Sequence, residues 1–223
     1  MKNSRGRILL VTGILLVVID QVIKVLVKSN MTIGEHFNVL GDWFKILFIE
    51  NEGMAFGMKF GGMAGKFVLT FFRLVLFGFL CWWITVLNRK GRRMKTTDEK
   101  GKAVVTYEHV PVGVLVGLTL ITAGAFGNII DCLFYGQLFS ASTPYEVAQF
   151  GGSYAPVMFG KVVDMFYFPL IDTTWPSWMP FVGGHPLRFF EPVFNFADSC
   201  VTVGAFYLIL FQYKFFASET GEK

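Results

Sequence analysis

Five aspartates, Asp20, Asp131, Asp164, Asp172 and Asp198, stand out in this chain, and three of them lie inside or at the ends of strongly apolar segments. A carboxylate at a helix centre in a bilayer costs roughly 2.5 to 3.5 kcal/mol on insertion scales, so a sequence that keeps several has a use for them. Paired carboxylates offer one concrete chemistry. Two acids held close together cannot both ionise cheaply and hold one proton between them. The ionised member can then activate a water while the protonated member polarises a carbonyl and later protonates a leaving amine.

Other chemistries have less footing. His36, His109 and His185 are far apart and lack the H-x-x-x-H spacing of a zinc site or the company of a Ser-His-Asp triad. Cys81, Cys132 and Cys200 show no C-x-x-C spacing and lie in or beside apolar stretches, where cysteine acts as a small packing residue. No Gly-rich phosphate loop is present, and neither a metal nor a cofactor is expected.

The elements that must carry these acids are membrane-type. Of 223 residues, 53% are hydrophobic and 26 are Phe, more apolar surface than one soluble domain of this length buries. Runs long enough to cross a hydrocarbon core of roughly 30 Å are read at 8–27, 67–87, 110–130 and 194–213. Lys2, Arg5 and Arg7 precede the first run, and seven basic residues from Arg89 to Lys102 crowd the second connection, so both flanks are expected to be cytoplasmic. The net charge of +4 is thus a topology signal; with no aromatic residues interleaved in the basic loop, a nucleic-acid partner is not expected. The fold expected is a mainly α membrane protein: a four-helix transmembrane bundle in one integral domain over 1–223. The loop at 88–109 reads as a cytoplasmic tether.

The outer segments at 28–66 and 131–193 are too long and aromatic for simple turns. Trp43 to Glu50 reads as a strand of a small extracytoplasmic sheet or cradle, and Tyr154 to Phe168 as a strand or a short helix. The second segment is an enlarged outer loop subdomain, rich in proline and in interfacial aromatics.

At a rise of about 1.5 Å per residue, Asp20 lies roughly 18 Å into the first span and Lys24 one turn further out. Asp131 comes roughly 30 Å along the third span, and Asp198 about 6 to 8 Å below the outer start of the last. These groups gather in the outer leaflet, with Asp164 in an apolar outer stretch. For Asp20 and Lys24 a self-neutralising i,i+4 ion pair and a site role are equally open. Asp131 also reads as a helix end. Asp198, with Asn195 and Ser199, has the weakest bland explanation. Asp172, beside Thr173, Thr174 and Trp175-Pro176, reads as a solvated turn residue.

The chain resembles the signal peptidase II family, the lipoprotein signal peptidases, four-span aspartyl membrane proteases. The resemblance rests on Asp20-Gln21-Val22-Ile23-Lys24, on Asn51-Glu52-Gly53-Met54-Ala55-Phe56, on Gly124-Ala125-Phe126-Gly127-Asn128-Ile129-Ile130-Asp131, on Val162-Val163-Asp164, and on Phe194-Asn195-Phe196-Ala197-Asp198-Ser199. Each piece is short; their order along nearly the whole chain is specific. It implies Asp164 and Asp198 as the catalytic pair, whereas depth alone favours Asp131. It also implies that Asp20, Lys24, Asn51, Gly53, Gly124, Asn128, Asp131, Asn195 and Ala197 shape the site. Cys132 stands where the family usually has arginine, leaving Lys161 and Arg188 as candidates to balance the charge.

The implied substrate is a diacylglyceryl-modified prolipoprotein in the bacterial cytoplasmic membrane, cut just before its lipidated cysteine. Its lipid chains hold the scissile bond at the outer interface among the membrane lipids, the other expected partner, and globomycin-type inhibitors would compete there. A small proton-coupled transporter using Asp20, Lys24, Asp131 and Asp198 is the main alternative, and a noncatalytic scaffold the third. The cytoplasmic halves of the spans carry almost no ionisable groups, which disfavours a through-path.

Overall fold

The computed structural model describes residues 2–52, 62–97, 103–189 and 191–217. In chain order its elements are α1 (Lys2–Asn30), β1 (His36–Leu40), β2 (Phe44–Asn51), α2 (Gly62–Lys90), β3 (Arg92–Thr97), β4 (Ala103–Glu108) and α3 (Val112–Ile130). A π-helical turn (Asp131–Tyr135) leads into α4 (Gly136–Leu138) and then β5 (Val162–Tyr167), β6 (Ile171–Thr174), β7 (Pro186–Phe189) and β8 (Val193–Phe194). α5 (Phe196–Phe211) and α6 (Tyr213–Ala217) complete it.

Among the described residues, three helical stretches are long and apolar enough to cross a membrane: Ser4–Asn30, Gly62–Lys90 and Val112–Leu138. They run past the expected ends because helical hydrogen bonding continues through flanking polar residues such as Lys28 and Arg89. The fourth expected span is a shorter apolar helix. α5 has 16 residues, about 24 Å, before a bend and α6.

The chain forms two compact units. The first comprises Met1–Asp20, Phe71–Ile129 and Ala197–Lys223; the second comprises Gln21–Thr70 and Ile130–Phe196. In the first, Leu9, Leu87, Val110, Val114, Leu115, Leu118 and Leu208 form the core. Helices α3 and α5 meet there through small residues, as packing in lipid favours: a Cβ on Gly204 would lie 2.8 Å from the Gly117 carbonyl oxygen. The basic connection is not a plain tether. β3 and β4 pair antiparallel with Arg92 opposite Glu108 and Lys95 opposite Val105. Val104, Val105, Thr106 and Tyr107 supply the β-forming half, which the run of basic residues before it masks in the sequence.

In the second unit, β1, β2, β5 and β8 form one antiparallel sheet in that order. Val162, Val163, Asp164 and Met165 of β5 are all buried, so this strand is covered on both faces and lacks an apolar-polar alternation. That is why the sequence left helix and strand undecided. Phe168 stacks on Phe44 at 4.6 Å and on Phe194 at 5.7 Å between ring centroids, tying the ends of β2, β5 and β8 together. Part of the long stretch between Asp164 and Asp198 folds as a separate β6–β7 ladder.

Candidate active site

In the second unit Asp164 sits mid-strand on β5, 3% exposed. Asn51, the last residue of β2, pairs across the strands with Val162. Directly opposed residues share a sheet face, and so do residues two apart, so Asn51 and Asp164 lie on one side. The Asn51 Nδ2 donates to Asp164 Oδ2 at 3.3 Å, and the Nδ2 of Asn195, which is fully buried just after β8, donates to Asp164 Oδ1 at 2.7 Å. Gly53 lies outside the described residues.

Asp131 opens the π-helical turn and is completely buried. Its Oδ2 lies 2.8 Å from the Lys24 Nζ, and both side chains are sealed from solvent. Gln21 Nε2 donates to Oδ1 at 3.0 Å, and the Val163 backbone N–H donates to Oδ2 at 3.2 Å. Tyr135 Oη in turn donates to Gln21 Oε1 at 3.1 Å. The carboxylate therefore grips the residue immediately before Asp164. Gly160 lets the chain come close enough: a Cβ there would collide with the Asp131 carbonyl oxygen.

In the first unit Asp198 lies in the opening turn of α5, where Asn128 Nδ2 donates to its Oδ1 at 2.7 Å. Asp20, 1% exposed on α1, accepts the Ala197 backbone N–H at 2.8 Å and so caps a helix that begins at Phe196. A carboxylate at this position satisfies an N-terminal amide and meets the positive end of the helix dipole. Small residues make room for these contacts. A Cβ on Gly127 would lie 2.5 Å from Asp20 Oδ2, and one on Gly124 would strike the Ala197 carbonyl oxygen and come 2.8 Å from Val201. Gly124 and Asn128, one helical turn apart, share the face of α3 that meets α5.

The sequence-derived set thus separates by unit. Lys24, Asn51, Asp131 and Asn195 are tied directly or through Val163 to Asp164, whereas Asn128 bonds to Asp198, and Asp20 and Gly124 meet the adjoining Ala197. Lys24 makes a salt bridge to Asp131, and Cys132, the next residue, is buried. Of the two candidates for charge balance, Lys161 has its Nζ 3.4 Å from Glu50 Oε2, and the side chain of Arg188 lies outside the described residues.

Glu50 is the residue the sequence reading missed. It forms a buried ion pair with Lys28, and Ser142 Oγ donates to it at 2.8 Å while accepting from Lys28 Nζ at 2.8 Å. The Tyr154 ring lies under both lysines, 5.1 Å from Lys28 Nζ and 5.9 Å from Lys161 Nζ. Burial above all pushes the Tyr154 phenol up, keeping it protonated. The available signal was Lys24 and Lys28 four residues apart in an apolar helix: two lysines on one buried face demand two acids.

A family model described as Signal peptidase (SPase) II matches residues 12–214. The chain belongs to the signal peptidase II family. A lipoprotein signal peptidase of Porphyromonas gingivalis is 44% identical over 209 residues, covering 92% of this chain and 83% of that protein. One from Amoebophilus asiaticus is 33% identical over 200 residues, covering 89% and 74%. A solved structure titled as a bacterial membrane enzyme has a TM-score of 0.55 at 21% identity, covering 96% of this chain and 93% of its own, a likeness of fold. Membership in a peptidase family leaves the transporter reading without support and makes this signal peptidase II relative a protease.

Proposed function

We propose that this chain removes the signal peptide from diacylglyceryl-modified prolipoproteins, cutting just before the lipidated cysteine, with Asp164 and Asp198 as an aspartic pair that holds one proton. One repeated device carries the reading. The residue immediately before each of these aspartates donates its backbone N–H to a buried aspartate, Val163 to Asp131 and Ala197 to Asp20. Each candidate carboxylate also accepts a carboxamide N–H, from Asn195 or from Asn128. Main chain and side chain are thus both fixed at two carboxylates, the preorganisation that general acid–base catalysis requires.

In the reaction the ionised carboxylate takes a proton from water as the water oxygen bonds to the scissile carbonyl carbon. The protonated carboxyl passes its proton to the carbonyl oxygen, giving a gem-diol while the proton taken from water stays on the pair. The pair's proton then passes to the cysteine nitrogen as the C–N bond breaks, and a diol hydroxyl returns its proton to the pair, so a new carboxylic acid and a free amine leave with one proton still on the pair. No metal takes part. α5 and its flanking residues form the fourth crossing, both termini lie on the cytoplasmic side, and the sheet and β6–β7 ladder stand at the outer face of the bacterial cytoplasmic membrane. The substrate's lipid chains hold the scissile bond at that interface, and globomycin-type inhibitors compete there.

The test incubates purified protein with a lipidated prolipoprotein. Asp164→Asn and Asp198→Asn are each expected to slow cleavage by about 10³-fold or more with unchanged thermal unfolding. Cleavage retained by either variant overturns the assignment.

A further inference from the structure

Arg5 lies where two cavities of the first unit meet. One is an apolar groove of about 440 Å³ lined by Ile8, Leu9, Thr12 and Leu16 of α1 and by Val112, Val116 and Leu120 of α3, with Arg5 at its end. The other, about 180 Å³, is polar, lined by Arg5 with Arg89, Lys90, His109, Asn88 and Glu108. Arg5 is pinned rather than loose: Nη2 donates to the Val110 carbonyl at 3.1 Å, and Nη1 lies 3.3 Å from His109 Nε2. Among the described residues its Nε is buried with no acceptor, and Asn88 Oδ1 is buried with no donor.

These observations specify a ligand chemistry. The buried Nε–H calls for an anionic oxygen, and among the described residues lining the cleft Arg5, Arg89 and Lys90 outnumber the carboxylate of Glu108. Asn88 Oδ1 calls for a hydroxyl or amine donor beside that anion. The groove calls for a hydrocarbon chain. From Arg5 to Leu16 is eleven residues, about 16 Å along the helix, close to half of a hydrocarbon core of roughly 30 Å and so one leaflet deep. We propose that the first unit carries a binding site for one anionic phospholipid, its phosphate at Arg5, a headgroup hydroxyl at Asn88 and one acyl chain in the groove between α1 and α3. The site uses none of the residues assigned to peptide cleavage.

Native mass spectrometry of the full chain, released from detergent with equal phosphatidylglycerol and phosphatidylcholine, tests this. One phosphatidylglycerol should be retained with about tenfold preference, the scale of attraction expected from a few basic groups at a membrane surface. Arg5→Gln should bring the two lipids to parity, and Arg5→Lys should keep most of the preference. Thr12→Trp, which fills the groove from an exposed position, should reduce retention of both. Prolipoprotein cleavage should stay unchanged in all three, showing that they fold. Equal retention of the two lipids by the wild type, an Arg5→Gln variant that still discriminates, or displacement of the lipid by glycerophosphoglycerol or inorganic phosphate overturns the proposal, the last by making this an anion site without a chain groove.

Discussion

Asp131 and Asp164 belong to the same unit and act on the same strand, yet they are held in opposite ways. Asp131 is given a buried lysine at 2.8 Å, whereas the partners described for Asp164 include two carboxamides, Asn195 and Asn51. A buried ammonium fixes its carboxylate in the ionised form, because removing either charge strands the other. A carboxamide N–H orients a carboxylate oxygen at much lower electrostatic stakes. On the proposed function, the contrast separates acids that hold the scaffold from acids suited to exchange a proton. Glu50, paired with Lys28, falls with Asp131; Asp198, bonded by Asn128, falls with Asp164.

The sharpest way to break this contrast is to neutralise the scaffold pair. Lys24→Met is expected to cost about 3–5 kcal/mol in detergent denaturation, since the buried Asp131 carboxylate loses the ammonium at 2.8 Å. Lys24→Met with Asp131→Leu should recover most of that stability. It should still cleave about 10- to 100-fold more slowly, because Val163 loses the acceptor that sets β5. A double variant with full activity would show that Asp131 has no positioning role.

Removing the carboxamides should invert the pattern. Asn195→Ala and Asn128→Ala are each expected to lower kcat by about 10- to 100-fold with little change in KM, the signature of an interaction that matters in the transition state. Equal losses in KM would assign these residues to substrate binding instead.

Smaller effects refine the packing around the acids. Gly124→Ala should cost about 1–3 kcal/mol in unfolding free energy, because the added methyl meets the Ala197 backbone, which cannot move without shifting α5. Asn51→Ala should slow cleavage by only about two- to fivefold, its 3.3 Å bond being the longer of the two at Asp164.

Much of this organisation was legible in the chain because bilayer thickness imposes a length that apolar runs reveal directly. The span expected at 67–87 lies wholly inside α2, and the strand expected from Trp43 to Glu50 is β2 shifted by one residue. Depth along a span, by contrast, ranked Asp131 above Asp164. Distance from a helix start carries no information about which amide or ammonium faces a carboxylate. Only the short motifs around Asp164 and Asp198 pointed to those acids. Lys28 with Glu50 stayed hidden because its partners come from α1, β2 and the stretch holding Ser142, contacts that no local pattern encodes. The β3–β4 ladder stayed hidden because charge patterning in β3 outweighed strand propensity in β4.

The central claim is that Asp164 and Asp198 work as one proton-sharing unit, and a double-variant cycle on prolipoprotein cleavage tests it most directly. Groups that act together are grossly non-additive, so Asp164→Asn, Asp198→Asn and the combined variant should show residual rates within about threefold of one another. A combined variant slower than either single by the product of their separate losses would contradict the account and make the two acids independent contributors.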